Sequence, residues 1–416
     1  MRPQAWIACD HKANSRTDTS TSTRASVTVR ALRSTVEVRL GNVATTSGIE
    51  SARELISTRK DHHLDLCLRA DVGSRGPATG LGGWTLEYDA LPEVDLEDVD
   101  LSVTLFGKKL RAPILVGAMT GGTDRAALVN RRLARAAARC GLGMALGSQR
   151  AMIVRPELGA TFDVRASAPD LPLLIANVGA VQLNYGVGTS EIRSAIERVG
   201  ADAIDVHLNA LQEAIQPEGD TRFKGLVARL ADTLPQLGVP AIAKEVGAGI
   251  SERAARKIAR LPFAGIEVAG TGGTSWARVE SHRAPAASMQ AEVGERLAGF
   301  GVSTAESVRI CRRVLGASDP SGLQRSVIAS GGVRHGMDVA VAIALGADAA
   351  ALAKPLLAAA DESEDAVVRV LETLIFELRV IAFCCGARDV AELRAVRAIA
   401  PGAAMPGVVD QVEARP

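Results

Sequence analysis

Aromatic residues make up only 3% of the 416-residue chain, too few for the stacking platforms that bind single-stranded nucleic acid. Charge of one sign is equally scarce. Lys+Arg 48 against Asp+Glu 47 leaves a formal net charge of +1, so no global field favours a polyanion or an anionic membrane. The six cysteines, Cys9, Cys67, Cys140, Cys311, Cys384 and Cys385, include no C-x-x-C pair and no Cys/His cluster with zinc spacing, which points to a reducing compartment and away from structural zinc. No apolar run reaches the roughly 18 residues of a spanning helix. Even the Ala-rich stretch 339–353 is interrupted by Asp348. The expectation is a soluble, cytoplasmic protein with neither nucleic acid nor membrane as partner, in which any anion specificity is local.

What the chain does hold is small and aliphatic. Hydrophobic residues are 47% of the total, beside 40 Gly and 17 Pro, a balance suited to many short buried strands alternating with Ala-rich helices. The length admits one large barrel with an extension, or two ordinary domains. Residues 1–48 stand apart: Thr17 to Arg24 reads Thr-Asp-Thr-Ser-Thr-Ser-Thr-Arg, and Arg30, Arg33 and Arg39 follow with no hydrophobic period. A disordered tail is expected there, with a transit peptide or a dispensable extension as open alternatives.

From Arg111 onward, short apolar runs that end in Gly or polar residues alternate with helical patterns, the signature of repeated βα units. Eight runs are predicted as strands: 114–117, 143–146, 173–177, 203–207, 241–244, 265–268, 327–330 and 349–352. Eight such units close a barrel more naturally than they open a sheet. The expected fold is therefore α/β, a (β/α)8 TIM barrel within residues 49–400, followed by a tail at 401–416. The interval from Gly270 to Arg325, between the sixth and seventh runs, is too long for one helix. Residues 272–302 are expected to form a lid or substrate wall on the catalytic face.

The ends of these runs carry the chemistry. The seventh closes Ile328-Ala329-Ser330-Gly331-Gly332-Val333, and the eighth leaves through Lys354-Pro355, the two loops that commonly form a phosphate site in such barrels. Gly331 and Gly332 let backbone N–H groups approach an anion, and the helix opening at Gly336 offers a positive dipole end. Paired glycines also simply turn a chain, but the Lys-Pro exit beside them favours the phosphate. Further polar ends are Met119-Thr120-Gly121-Gly122, Gly147-Ser148-Gln149-Arg150, Ala176-Asn177-Val178-Gly179, Lys244-Glu245 and Gly270 to Trp276. Singly each reads as a helix cap. Around one rim they look like the hydrogen-bonding fringe of a large planar cofactor, with Lys244 able to hold a negative flavin ring.

The fourth run ends Asp205-Val206-His207-Leu208-Asn209-Ala210-Leu211-Gln212-Glu213, which puts His207 and Asn209 on one side by period-two alternation. Glu213 offers a hard oxygen suited to Mg²⁺, an ion that takes one or two carboxylates and leaves the rest to water and phosphates. Upstream, Thr58-Arg59-Lys60-Asp61-His62-His63-Leu64-Asp65 concentrates charge. Such runs usually face water; the functional alternative is that Arg59 and Lys60 clamp a diphosphate.

Together, Arg59-Lys60-x-x-His63, Met119-Thr120-Gly121-Gly122, Gly147-Ser148-Gln149-Arg150, His207-Leu208-Asn209-x-x-Gln212-Glu213, Lys244-Glu245-Val246-Gly247, Gly270-Thr271-Gly272-Gly273-Thr274-Ser275-Trp276 and Ser330-Gly331-Gly332 resemble the type 2 isopentenyl diphosphate isomerases, over residues 51–399. The Arg-Lys-x-x-His and His-x-Asn-x-x-Gln-Glu segments carry the specificity, since other FMN barrels share the glycine motifs. The resemblance implies FMN and Mg²⁺, NADPH only to reduce the flavin, an isoprenoid diphosphate substrate and a homo-oligomeric enzyme. It implies catalytic roles for Gln212, His207 and Asn209, and substrate contacts from Arg59, Lys60, His63, Ser148, Arg150 and Gln212. It implies FMN contacts from Met119, Thr120, Gly121, Ser148, Asn177, Lys244 and Thr274, with Gly331, Gly332, Ala353 and Lys354 around the FMN phosphate and Mg²⁺ on Glu213.

The chain departs from that pattern at His62, where the family often carries an acid, at Ala351 and Ala353, where many FMN barrels have Gly, and in its long tail. The rival among enzymes is an FMN-dependent 2-hydroxy acid oxidase, which should carry a catalytic His and Arg after the sixth strand. Here that region reads Gly-Thr-Gly-Gly-Thr-Ser-Trp, with His282-Arg283 several residues further on. A non-catalytic flavin-binding sensor on the same fold is a rival of another class, but it would need no diphosphate clamp together with a metal carboxylate.

Overall fold

A computed structural model of the chain describes residues 29–31, 34–36, 59–76, 78–316 and 325–402. The tail expected at 1–48 falls outside the described residues, apart from an antiparallel ladder of Val29–Ala31 with Ser34–Val36. The tail expected at 401–416 falls outside them from 403 onward. Everything below concerns the unit Leu55–Pro416.

All eight predicted runs are strands: β1 Ile114–Val116, β2 Gly143–Ala145, β3 Leu173–Gly179, β4 Ala203–Leu208, β5 Ala241–Glu245, β6 Gly265–Glu267, β7 Ser326–Ala329 and β8 Ala349–Leu352. Each pairs in parallel with the next and β8 closes onto β1, so the fold is a TIM barrel. Period-two alternation gives each strand two buried faces. Leu173, Ile175, Ile242 and Ile328 point into the barrel, whereas Leu174, Ile204, Val206 and Val327 pack outward under the helices. A hairpin, Val103–Leu105 with Lys108–Leu110, adds Leu105 and Leu110 to the interior cluster and plugs the end away from the strand C-termini.

Two additions to the barrel shape its mouth. The charge run at 59–65 lies in a helix covering residues 59–69, and its acids are anchors. Asp61 accepts the Thr123 hydroxyl at 2.7 Å and Asp65 accepts Arg125 at 2.7 Å, while Leu64 is buried. Thr123 also caps the helix Asp124–Arg139 by accepting the Ala126 N–H, so the first helix is tied to the loop leaving β1.

The second addition is the interval after β6, which folds into the helices Trp276–Arg283, Met289–Arg296 and Thr304–Gly316. The segment 71–75 straps across it. Ser74 donates its N–H to Gly273 at 2.8 Å and Ser275 donates to Val72 at 2.9 Å. The buried Arg278 guanidinium binds Asp71 at 3.0 Å and Glu295 at 2.9 Å. Among the described residues, no helix is long and apolar enough to cross a membrane.

Candidate active site

At the C-terminal ends of the strands opens a cavity of about 580 Å³, within the usual range for a cofactor site. Its floor and walls come from all eight strand ends and its roof from the 59–69 helix. Arg59, Lys60 and His63 line it from above, facing Ser148 and Arg150 after β2. Asn177, His207, Asn209, Gln212 and Glu213 line one side. Met119, Lys244, Thr274, Gly331, Gly332, Ala353 and Lys354 line the rest.

Thr120 and Gly121 do not line it. The Thr120 backbone packs on Gly147, where an added Cβ would lie 2.5 Å from the Thr120 carbonyl oxygen. That carbonyl accepts the Asn130 amide at 3.1 Å. Gly121 sits against the Phe162 ring, 2.0 Å from where a Cβ would be. Gly121 serves packing of the β1 loop, while the Thr120 hydroxyl is buried without a hydrogen-bond partner among the described residues.

The polar arm after β4 holds two hydrogen-bonded sets, His207 with Asn177 and Asn209 with Gln212 and Glu213. His207 Nδ1 lies 2.8 Å from Asn177 Oδ1, so Nδ1 carries the proton and Nε2 the lone pair. Burial, with Lys244 and Lys60 nearby, pushes the His207 pKa down to about 3, and the ring is neutral at physiological pH. Asn209 Nδ2 donates to Gln212 Oε1 at 3.3 Å and to Glu213 Oε1 at 2.8 Å. Gln212 Nε2 donates to Glu280 Oε1 at 2.9 Å. Glu213 Oε2 accepts the Asp220 N–H at 2.6 Å. Asp220 in turn accepts Gln182 at 3.0 Å and pairs with Arg150 at 2.6 Å. Burial raises the Glu213 pKa above the ordinary carboxylate value, a cost that a bound cation would offset.

Cations crowd the roof. Burial, then the charges of Arg59 and Arg150 against the opposing pull of Glu280, set the Lys60 pKa at about 8. Arg59 lies 3.6 Å from Glu218, which also binds Arg283 at 2.8 Å. His63 Nε2 stands 3.2 Å from Glu280, with its ring edge-on to Trp276 at a centroid distance of 5.1 Å. Arg59, Lys60 and Arg150 gathered on one cavity suit a polyanion, which would compete with Glu218 and Asp220 for the two guanidinium groups.

Another wall offers a backbone cradle. Gly331 and Gly332 have φ of +96° and +80°, and added Cβ atoms would fall 2.2 Å from the Gly270 carbonyl oxygen and 2.5 Å from Thr79. No other residue fits at either place. Beside them the helix Lys354–Glu362 begins, with Pro355 in its first turn, so its free N–H groups and positive end face the same wall. Glu245 staples the next loop, its Oε2 accepting the N–H groups of Val246 and Gly247, each at 2.7 Å.

Glu280, Glu267, Gln182 and Asp220 escaped the sequence reading, and Asp205 and Trp276 stood in its motifs without a role. Two had a legible signal, because an acid inside the apolar runs Ala-Ile-Asp-Val and Gly-Ile-Glu-Val must face the barrel interior by period two. Glu280 had only a weak one, being one helical turn beyond Trp276 on the same face of an insertion helix.

The family model described as FMN-dependent dehydrogenase matches residues 227–399. An isopentenyl-diphosphate delta-isomerase of Synechococcus sp. is 47% identical over 344 residues, covering 83% of this chain and 96% of that protein. Proteins of the same name from Mycobacterium marinum, 47% identical over 82% of this chain and 96% of theirs, and Deinococcus radiodurans, 45% over 82% and 97%, are similar throughout. Among solved structures, a mutant flavocytochrome b2 with benzoylformate aligns with a TM-score of 0.60 at 16% identity, over 86% of each chain. A mutant mandelate oxidase with 2-hydroxy-phenylacetamide aligns at 0.57 and 17%, over 87% of this chain and 100% of that one. At that identity the likeness is one of fold.

Proposed function

The chain belongs to the isopentenyl-diphosphate delta-isomerase family, and on that premise we propose that it interconverts isopentenyl and dimethylallyl diphosphate using reduced FMN and Mg²⁺. The observation that carries this is the meeting of unlike parts in one cavity. A cationic side, Arg59 and Lys60 of the roof with Arg150 after β2, shares one cavity with a backbone cradle at Gly331 and Gly332 and with the Gln212 network.

The residues fit FMN. The two glycines leave room that any Cβ would fill, Lys354 and a helix N-terminus stand beside them, and Lys244 reaches the cavity from β5. Reduced FMN would supply an electron-rich surface and a titratable N5 nitrogen. NADPH is the proposed source of electrons for its initial reduction. Among the described residues no three His, Cys, Asp or Glu side chains gather as a metal cage; Glu213 would be the carboxylate that holds Mg²⁺, an ion that needs only one or two protein carboxylates and would supply positive charge for the diphosphate.

The reaction adds a proton to one end of an unactivated alkene and removes another from the neighbouring carbon. Arg59, Lys60, His63, Ser148 and Arg150 would hold the diphosphate and fix where the alkene lies. Gln212, its amide set by Asn209 and Glu280, would orient or relay the moving proton. His207, neutral and bonded to Asn177, would line the allylic end without adding a charge. The 59–69 helix over the cavity would limit the access of water to a cation-like species. The rival 2-hydroxy acid oxidase chemistry finds less support: His282 is exposed, and Arg283 is bound to Glu218 and Glu280.

The test is turnover of isopentenyl diphosphate by one anaerobic sample before and after photoreduction of its flavin. Activity is expected only after reduction and should vanish on reoxidation. Equal isomerisation by flavin-free protein would overturn the assignment.

A further inference from the structure

In the wall formed by β4 to β7, Lys244 is joined by two acids, Glu267 and Asp205, to which the proposed reaction assigns no role. Lys244 pairs in register with Glu267 of β6. Its ammonium is bonded to the Glu267 carboxylate and to the Glu245 carbonyl at 3.1 Å. Ser330 donates its hydroxyl to the same Glu267 oxygen at 2.8 Å and accepts the Ala269 N–H at 3.1 Å, so Glu267 is held from two sides. Asp205 of β4 is fully buried, neither of its oxygens has a hydrogen-bond partner, and it feels the charges of both Glu267 and Lys244. An ionised carboxylate left bare in such a place is costly, whereas the neutral acid is tolerated. Burial, and then the Glu267 charge, favour the protonated form of Asp205. The Lys244 and Glu267 charges therefore offset one another and Asp205 adds none, while the Glu245 carboxyl, which burial raises to a pKa of about 7, is turned to the N–H groups of Val246 and Gly247.

Resting on the assignment of FMN to this cavity, we propose that Glu267 is a positioning residue that neutralises Lys244 and so limits how strongly the protein favours negative charge on the flavin ring, with Asp205 as a buried neutral acid. A flavin ring gathers negative charge when it is reduced, and equally when sulfite adds to N5 of the oxidised form. A free ammonium at the ring stabilises both products; one already paired with a carboxylate does so weakly. For a reaction without net electron transfer, a ring that exchanges a proton gains nothing from being locked as an anion. Lys244 and Glu267 both border the cavity, so their net charge acts on whatever ring occupies it.

Sulfite titration of FMN-loaded protein at one near-neutral pH, followed by flavin absorbance, reads this charge without turnover. Glu267→Gln, made in the Asp205→Asn background so that Asp205 cannot ionise in its place, removes the carboxylate bonded to the Lys244 ammonium and is expected to tighten sulfite binding about tenfold or more relative to Asp205→Asn alone. Asp205→Asn replaces a neutral acid by a neutral amide and is expected to stay within about twofold of wild type. Unchanged sulfite affinity on adding Glu267→Gln to Asp205→Asn overturns the proposal, and tightening in Asp205→Asn overturns its neutral-acid part. Should Glu267→Gln fail to fold, Glu267→Asp draws the carboxylate back from the Lys244 ammonium and weakens their pairing. It is expected to tighten sulfite binding by a smaller factor, and no change there overturns the proposal as well. Wild-type protein that takes up no FMN overturns the cofactor reading itself, a result distinct from flavin bound with unchanged sulfite affinity.

Discussion

Glu280 is the residue on which most of the polar network converges. Burial by itself would raise its pKa, but the His63 contact and the charges of His63 and Arg283 bring it down to about 2. His63 is itself held below the ordinary imidazole range by burial. Near neutral pH its ring carries little charge, so Arg283 is the permanent counterion of Glu280. Glu280→Gln should therefore cut kcat by roughly 10- to 100-fold, the loss of a hydrogen bond to a charged group, with the KM for substrate changed less than about threefold. A rise in KM with unchanged kcat would assign Glu280 to binding. Gln212→Leu should likewise depress kcat and spare KM, whereas Glu213→Gln should raise the Mg²⁺ requirement and weaken substrate binding. Identical phenotypes in separate substrate and Mg²⁺ titrations would show those roles to be misassigned. Lys60 gives a pH signature. Its pKa of about 8 means that the ammonium is present below that pH and is lost above it, so kcat/KM should fall as pH rises through about 8. Arginine does not titrate there, so Lys60→Arg should flatten this limb. An unchanged limb in the variant would assign the titration to another group.

At the scale of elements, the eight strands were legible because each is a short apolar run bounded by Gly or polar residues, and buried parallel strands read that way. The rim of polar strand ends was legible for the same reason: a hydrophilic residue closing an apolar run marks the end of the barrel that faces solvent. The reading lost resolution where the chain turns. Met119 faces the cavity while Thr120 backs onto Gly147 and Gly121 onto Phe162, and no periodicity survives a loop to tell neighbours apart. The insertion helices were legible as extra length, but Glu280 could not be aimed at Gln212, because that contact spans 68 positions and depends on how the helices dock. The Gly331–Gly332 turn is an element whose geometry only glycine satisfies. Gly332→Ala places a Cβ 2.5 Å from Thr79 at a φ of +80° and should weaken FMN binding by roughly 10-fold or more, given a strain of about 1–3 kcal/mol. Fluorescence titration with FMN reads this, and an unchanged Kd would remove the turn from the proposed phosphate cradle.

The whole molecule is nearly neutral, with a formal charge of +1, yet it gathers Arg59, Lys60 and Arg150 above one cavity. The missing global field and the strong local one both fit the small anion proposed as substrate. Barrel, roof and insertion each contribute a part that the others lack. The barrel supplies the cradle, the 59–69 helix supplies cations, and the insertion supplies Glu280 to hold Gln212 in place. The account stands on these parts acting together on one isoprenoid diphosphate over reduced FMN. The most direct measurement is proton NMR of the anaerobic protein with reduced FMN, Mg²⁺ and isopentenyl diphosphate in D₂O. Dimethylallyl diphosphate should appear with solvent deuterium in its new methyl group, and only while the flavin is reduced. Substrate that stays unchanged under those conditions, or isomerises equally without flavin, would contradict the account.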